Sequence, residues 1–446
     1  MTLLARLAGW TAGLRFEDLP EPAVDVARRA VLDTVGVALL GTRLDTVRIA
    51  AATSPGEGPC SLFGLRRCAP LLEAALVNGT AAHAELYDDN NVPMIAHPSA
   101  PLVAALLALA EARGLSGRAV LAGYCAGFEV GVKLGRMLNP ALYEAGWHVT
   151  RVLGVLGTAA GCARLIGLDV ARAAHAIGIA ASMASGIRAA FGTMTMALHT
   201  GLTARDGVHA ALLAEAGFTA DAGALDGRYG FLNVFSPGGG RELAPLGVPL
   251  ELLDSGIVVK PYPSGAPTLA AVAAALALRR RIGNPAAIRD VTCLVHRWNF
   301  MTLREETPET VLQAKVSLRF CVAAALRFGR LTHREFTDAA LRDPALRDLM
   351  GRITVRAGDD LPDNGQFPAE LRITDADGAG LVERCEIHPG GIDNPLDDTA
   401  LRAKFRDCAA DVLPAARVAE VERMVARLAA APDVRPLCAA LRGEDA

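Results

Sequence analysis

The sequence predicts a mainly α-helical protein: a large all-helical domain with a smaller α/β domain inserted towards its C-terminal end. Three observations carry that expectation. Of the 446 residues, 52% are hydrophobic and only 5% aromatic, the make-up of closely packed helices with little bulk between their axes. Between residue 1 and about 245 almost nothing alternates with the two-residue period of a strand. Near residue 250 the texture changes, extended and alternating stretches appear, and helical patterning resumes at Asn394-Pro395-Leu396. The simplest arrangement returns the last helices to the first domain. That domain is then discontinuous, residues 1–255 plus 396–446, with residues 256–395 as the inserted unit.

Punctuation and period set the elements. Pro20, Glu21 and Pro22 open a helix to about Leu40, with Ala23, Val26, Ala27, Ala30, Val31 and Val35 as its apolar stripe and Gly41 as its stop. A short helix follows from Asp45 to about Thr53, and residues 54–69, rich in Gly, Pro and Cys, read as loop or small hairpin. Leu71 to Tyr87 reads as a helix; the next begins at His97-Pro98-Ser99 and runs to Arg113, with Pro101 tolerated in its first turn. Helical patterning recurs at about 116–137, 149–166, 170–187, 198–216 and 221–226. Gly154, Gly157 and Gly161, and Ala180 and Ala184, repeat at three- and four-residue spacing, which lets helix axes approach closely. Ile257 to Pro263 is extended, Ala270 to Arg281 ends in arginines that suit a helix C-terminus, Val291 to Asn299 alternates as a strand, and Thr310 to Phe328 is helical. Ile353 to Val355, Ala369 to Thr374 and Leu381 to Ile387 read as strands, the last two joined by an Asp377-Gly378 hairpin turn. Ala400 to Asp411 and Val418 to Ala429 are amphipathic helices.

Charge and cysteine usage narrow the function classes. A net charge of −3 gives no basic footprint, so no nucleic-acid partner is expected. The nine cysteines are scattered, odd in number and form no CxxC pair, which argues against a disulfide framework or zinc site and for a reducing, cytoplasmic setting. The N-terminus lacks the layout of a signal peptide, and the most apolar run, Ala100 to Ala110, is too short to span a bilayer. No membrane association is expected. Gly238, Gly239 and Gly240 lack the strand and helix context of a phosphate loop.

Chemistry concentrates in three polar knots within this apolar chain. The first, HAELYDDNNVPMIAHPS from His83 to Ser99, holds two histidines, Glu85, Asp88, Asp89, Asn90 and Asn91. The second is Gly146-Trp147-His148-Val149-Thr150, and the third runs from Phe191 to His199. Such clusters are solvated, paired or functional, because unpaired buried charge is costly.

The ordered series of motifs resembles the 2-methylcitrate dehydratase (MmgE/PrpD) family, which includes cis-aconitate decarboxylase and iminodisuccinate epimerase. The matching stretches are Phe16-Glu17-Asp18-Leu19-Pro20, Leu32-Asp33-Thr34-Val35-Gly36, Tyr87-Asp88-Asp89 with His97-Pro98-Ser99, and Gly146-Trp147-His148 with Leu153-Gly154-Val155. They continue through Phe191-Gly192-Thr193-Met194-Thr195 with Leu198-His199, Lys260-Pro261-Tyr262-Pro263-Ser264, Pro308-Glu309-Thr310 with Ala314-Lys315, Asn394-Pro395-Leu396 and Lys404-Phe405. The resemblance implies a helical domain with an α/β lid, a homodimer, a site in the cleft between domains, and no metal or organic cofactor. It implies elimination, decarboxylation or epimerisation beside a carboxylate, chemistry that needs an acid or base at the adjacent carbon and donors for the enediolate-like charge. The wording Ala-Gly-Trp-His and Phe-Gly-Thr-Met-Thr is most similar to the iminodisuccinate epimerase branch.

Carried over by position, the resemblance makes His97 and His148 the catalytic candidates; an imidazole titrates near neutral pH and serves as acid or base. Four other positions depart from the family. Leu86 stands where a site Asp is common, Met196 where a lysine is expected, Leu269 where a histidine is expected, and Phe320 where an aromatic hydroxyl is frequent. A pocket lined by these replacements has lost cationic and donor groups, so a small carboxylate-type substrate less charged than the family's di- and tricarboxylates is expected. Arg151, in place of a small hydroxyl residue, offers a bidentate carboxylate contact, and Asp206 replaces a usual Asn. Asn90, Thr195, Lys260 and Asp88 complete the substrate-binding candidates, Asp88 having support of the loop as its alternative role. Structural roles are expected for His83 and His199. The functional expectation is a lyase or isomerase of this family. The alternatives are an epimerase-like isomerase and a catalytically silent ligand-binding or scaffold homologue.

Overall fold

The structure, a computed structural model, describes residues 1–237, 240–303, 307–375, 378 and 380–443. The Asp377 half of the expected hairpin turn and two of the three consecutive glycines, Gly238 and Gly239, lie outside the described residues. The chain is mostly helical with a small sheet region, and it divides into two compact units. One comprises residues 1–84, 88–257 and 397–446; the other comprises residues 85–87 and 258–396. Among the described residues no helix is long and apolar enough to cross a membrane. All nine cysteines are free thiols.

The first unit is built on glycine and alanine seams. Helix Gly117–Leu138 packs on helix Gly154–Leu165, with Gly123 and Gly127 against the Gly161 and Gly157 carbonyls and the reverse. A Cβ at Gly157 would lie 2.7 Å from the Gly127 carbonyl oxygen, closer than real side chains come. Helix Leu71–Ala84 crosses helix Met194–Glu215 in the same way, Gly79 facing Gly201. The C-terminal helix Asp398–Ala409 returns against helix Glu21–Gly41, where Lys404 pairs with the buried Asp33 at 2.7 Å and Phe405 fills the space over Gly36.

In the second unit a four-stranded sheet runs in the order Ile353–Ala357, Ile288–Val295, Ala369–Asp375, Gly380–Cys385, with the first pair parallel and the others antiparallel. Val291, Cys293 and Val295 point into a core that includes Leu371 and Ile373 and the helices Leu269–Arg279 and Leu318–Phe328. That every-other-residue burial is what a one-sided sheet dictates.

Several expected boundaries move, each for a local reason. Helix Leu71–Ala84 stops short of Tyr87 because Leu86 has φ +54°, a left-handed conformation a helix cannot continue through. The stretch at 149–166 splits into Val149–Val152 and Gly154–Leu165. The stretch at 310–328 breaks because Thr310 with Gln313 caps one helix and the Ser317 side chain starts another. No helix forms at 221–226. The Asp221 carboxylate accepts from the Gly223 N–H at 2.8 Å and holds a turn, and a helix follows at Phe231–Phe235. The strand expected at 291–299 occupies Ile288–Val295, and Arg297–Thr302 is helical.

Candidate active site

Four histidines of the first unit stand in a row, and three different backbone devices place them. Gly79 and Gly201 let their helices cross with the would-be Cβ of Gly79 only 3.0 Å from the Gly201 Cα. His83 lies one turn beyond Gly79 and His199 two residues before Gly201, so that crossing brings both rings inwards. His97 ends the polar loop, which Asn91 shapes: its Oδ1 accepts from the Met94 N–H at 2.9 Å, and its Nδ2 donates to the Ser255 hydroxyl at 3.0 Å and the Gly256 carbonyl at 2.8 Å. His148 opens the short helix Val149–Val152, its N–H donating to the Gly186 carbonyl at 3.1 Å. Successive ring centroids are 4.6 Å apart from His97 to His83, 6.2 Å from His83 to His148 and 5.1 Å from His148 to His199. Phe191 meets the His148 ring edge-on at 5.1 Å.

The acceptors fix protons on this row. His97 Nδ1 lies 2.7 Å from the Asp89 carbonyl, which only accepts, so Nδ1 carries the hydrogen. Asp88 adds a carboxylate oxygen 3.4 Å from the same Nδ1. His83 Nδ1 donates to Asp88 at 2.8 Å, and its buried Nε2 has no hydrogen-bond partner. His148 Nδ1 and His199 Nδ1 are 2.9 Å apart, so one donates and the other accepts. Of the four, His97 has the most accessible ring, its side chain 20% exposed, while His83 and His148 are buried.

Electrostatics separate the members further. Burial, helped by His83, His199 and His97 and opposed by Asp88, holds His148 well below the ordinary histidine range, so it is a neutral imidazole at pH 7. Burial first, then the Arg151 guanidinium and His83, pull His199 down to about 4. Asp89 moves the other way. Complete burial, with Asp33 and Asp88 nearby, pushes it up to about 7 against the stabilising hydrogen bonds from Ser99. Its carboxyl joins Ser99, whose hydroxyl lies 2.6 Å from the Tyr124 hydroxyl.

Arg151 is not the free carboxylate clamp expected from the sequence. It is buried, Nε donates to the Ser185 hydroxyl at 3.2 Å, and Nη2 donates to the Met183 carbonyl at 3.0 Å and to Asp206; only Nη1 is without a partner. The new arginine and the new aspartate are thus partners. Thr195 is exposed on the first turn of the Met194–Glu215 helix, and Met196 is buried three residues before His199. Asn90 is half-buried with a partnerless Oδ1. Asp88 is fully buried against two histidines, a position that supports their rings.

The remaining candidates belong to the second unit. Lys260 is fully buried and donates to the Leu86 carbonyl at 2.9 Å, so its ammonium holds the left-handed Leu86 rather than standing open. Lys315 similarly grips Glu85, at 2.7 Å to the carboxylate and 3.1 Å to the carbonyl. Leu269 is fully buried. Phe320 is fully buried in the sheet's hydrophobic cluster, its ring 5.5 Å from that of Phe336.

His83, Asp88 and His97 each bring a donor atom within 4.8 Å of the others, a spacing that also suits a cation. Nδ1 of each of these histidines is already hydrogen-bonded, to Asp88 and to the Asp89 carbonyl. The arrangement favours a hydrogen-bonded acid–base row. Sequence reasoning assigned His83 and His199 to structure. Only the Gly79–Gly201 crossing brings them to the site, and the clue was a glycine within four residues of a histidine on both helices.

Comparison with known proteins identifies the family. The MmgE/PrpD N-terminal domain matches residues 5–244 and the MmgE/PrpD C-terminal domain matches residues 262–430, and the chain belongs to this family. It is 28% identical over 468 residues to a cis-aconitate decarboxylase-like protein of Aspergillus oryzae, covering 99% of this chain and 97% of that one. It is 28% identical to the cis-aconitate decarboxylase of Homo sapiens (97% and 92% covered) and 26% identical to that of Aspergillus terreus (97% and 94% covered).

Proposed function

We propose that the protein is a lyase that transfers protons beside a carboxylate of a small organic acid, using its own side chains and no metal or organic cofactor. One observation carries the reading: a row of four histidines in which a neighbour engages Nδ1 of every ring, with both family-position histidines in it. His148, neutral and buried, is the base. His97, its Nδ1 held by the Asp89 carbonyl beside the Asp88 carboxylate, can carry a second proton on Nε2 and is the acid. In an elimination the base takes the hydrogen next to the carboxyl group while the acid protonates the leaving oxygen. In a decarboxylation the acid protonates the carbon that carbon dioxide leaves. Names of relatives favour the second, since those at 26–28% identity are cis-aconitate decarboxylases or like them.

The substrate of this chain is proposed to be less charged. Met196 and Leu269 supply no charge where the family resemblance expects lysine and histidine, and Arg151 is committed to Asp206. A panel of unsaturated, hydroxy- and amino-carboxylic acids tests the reading with wild type, His97→Gln and His148→Gln. Turnover of at least one acid, lost about 100-fold or more in each variant, is the expected result. No turnover and no ligand-induced rise in melting temperature would leave a silent homologue instead.

A further inference from the structure

We propose that His199 is the positioning residue of His148: it accepts the His148 Nδ1 hydrogen, so that Nε2 of His148 is the basic atom. This rests on the proton-transfer reading above for its catalytic consequence, but the hydrogen-bond assignment stands by itself.

The geometry offers two arrangements. The rings meet Nδ1 to Nδ1 at 2.9 Å, and both residues are buried. With one proton between two neutral rings, either His148 donates and keeps a lone pair on Nε2, or His199 donates and His148 carries its hydrogen on Nε2. Only the first arrangement makes His148 Nε2 a base. It alone also survives the reaction: after Nε2 takes a proton, both nitrogens of His148 bear hydrogens, and Nδ1–H needs an acceptor. His199 Nδ1, with its lone pair, is that acceptor. In the second arrangement Nε2 already bears its hydrogen and has no lone pair with which to take a proton.

The surroundings hold His199 in the accepting role. Helix Met194–Glu215 presents His199, Thr203 and Asp206 to the short helix that carries His148. The three contacts form a ladder: His199 with His148 Nδ1, the Thr203 hydroxyl with the Thr150 carbonyl at 3.4 Å, and Asp206 with Arg151. Gly186, at φ +95°, closes over the same place; a Cβ there would lie 2.9 Å from Arg151 Cγ and 3.4 Å from His199 Cε1. Arg151 therefore lies beside His199, and its positive charge disfavours a second proton on that ring. The charged and titratable neighbours of the pair are His83, His97 and Asp88 on the His148 side and Arg151 and His83 on the His199 side. Arg151 thus acts on the pair without touching substrate, by disfavouring a second proton on His199.

Imidazole nitrogen chemical shifts of the full chain, labelled with 15N-histidine, read the tautomers directly, with His148 assigned by the signals lost in His148→Gln. The wild type is expected to show His148 with hydrogen on Nδ1 and a bare Nε2, and His199 the reverse. His199→Phe keeps a ring but removes the acceptor; it should lose that tautomer bias and lower kcat about 100-fold with KM within about threefold. His199→Asn places an oxygen near the lost Nδ1 and should restore the bias and at least a tenth of kcat. A bare Nδ1 on His148 in the wild type overturns the proposal, and so does a His199→Phe protein with wild-type tautomer and rate. Equal losses in the Asn and Phe variants would also overturn it, as they would mark a packing role only. Should the chain turn over no acid, the function proposed above fails, while the nitrogen shifts still decide the hydrogen-bond assignment.

Discussion

At the scale of single residues, the site is organised by what each acceptor permits. A carbonyl that only accepts fixes His97, a carboxylate fixes His83, and a second imidazole meets His148. Behind them Asp89 is the buried group with the clearest consequence for stability. Its carboxyl sits at about 7 in the folded chain against 3.8 for the free group, so the folded state binds the extra proton between those values. The contribution is fully present below about pH 4 and is lost as pH rises through about 7. Asp89→Asn, which stays neutral and can still bond to Ser99, should therefore be more stable than wild type at pH 8, by roughly 2–4 kcal/mol, and equal to it near pH 4. Urea unfolding at the two pH values measures the difference; a variant less stable than wild type at pH 8 would show that Asp89 is charged and needed. His199 works in the opposite sense. Held at about 4 against 6.5, it contributes stability above pH 6.5 that is lost as pH falls through about 4. Subtracting variant from wild type at each pH isolates the Asp89 share. Motif wording pointed to His97 and His148, whereas the placing of His83 and His199 in the same row was not legible. A histidine on an apolar helix face reads as core until the helix that crosses it is known.

At the scale of elements, the crossing of Leu71–Ala84 and Met194–Glu215 sets the distance between the His83 and His199 rings. The two glycines at that crossing are not equivalent. An added Cβ at Gly201 would run into the Leu76 carbonyl and the Thr80 hydroxyl, whereas one at Gly79 would meet the Gly201 Cα at 3.0 Å and the Ala204 Cβ at 3.1 Å. Gly201→Ala should cost about 1–3 kcal/mol and lower activity more than stability alone explains, because the helices part where the histidines sit. Gly79→Ala should cost less, its closest neighbour having only a few tenths of an ångström to give. Denaturation midpoints with parallel rate measurements rank the two, and a reversed order would place the tight contact elsewhere. The helical class, the glycine spacing behind the Gly154–Leu165 seam and the small sheet were all readable, since each rests on a period or on punctuation. The breaks were less so. The start of the Leu318–Phe328 helix depends on the Ser317 side-chain cap, and the end of Leu71–Ala84 on a leucine at φ +54° that Lys260 and Lys315 hold through the Leu86 and Glu85 carbonyls. The helix expected at 221–226 failed because Asp221 caps a glycine turn, a local competition that composition does not display.

At the scale of the whole molecule, family membership extends across both units, while the proposed substrate is less charged than cis-aconitate. The proposed shift in substrate follows from counting charges. Met196 lies three residues before His199 on one helix face, so a lysine there would stand beside the histidine row. In its absence, and with Arg151 bound to Asp206, neither position supplies an uncommitted cation to a tricarboxylate. A hydrogen bond to a charged group is worth about 1.5–3 kcal/mol, which corresponds to roughly 10- to 150-fold in kcat/KM. Wild-type kcat/KM should therefore favour mono- and dicarboxylates over cis-aconitate by about tenfold or more. Met196→Lys should narrow or reverse that preference by raising the value for the tricarboxylate while that for a monocarboxylate falls or stays level. Because the position is buried, the variant is expected to lose some stability to desolvation of the ammonium, and a melting curve separates that loss from the change in preference. Two results would reject the charge argument: cis-aconitate as the best wild-type substrate, or an equal effect of Met196→Lys on all acids irrespective of charge. If both proteins instead rank acids by charge as expected, the apolar replacements set specificity while the histidine row keeps the family's chemistry.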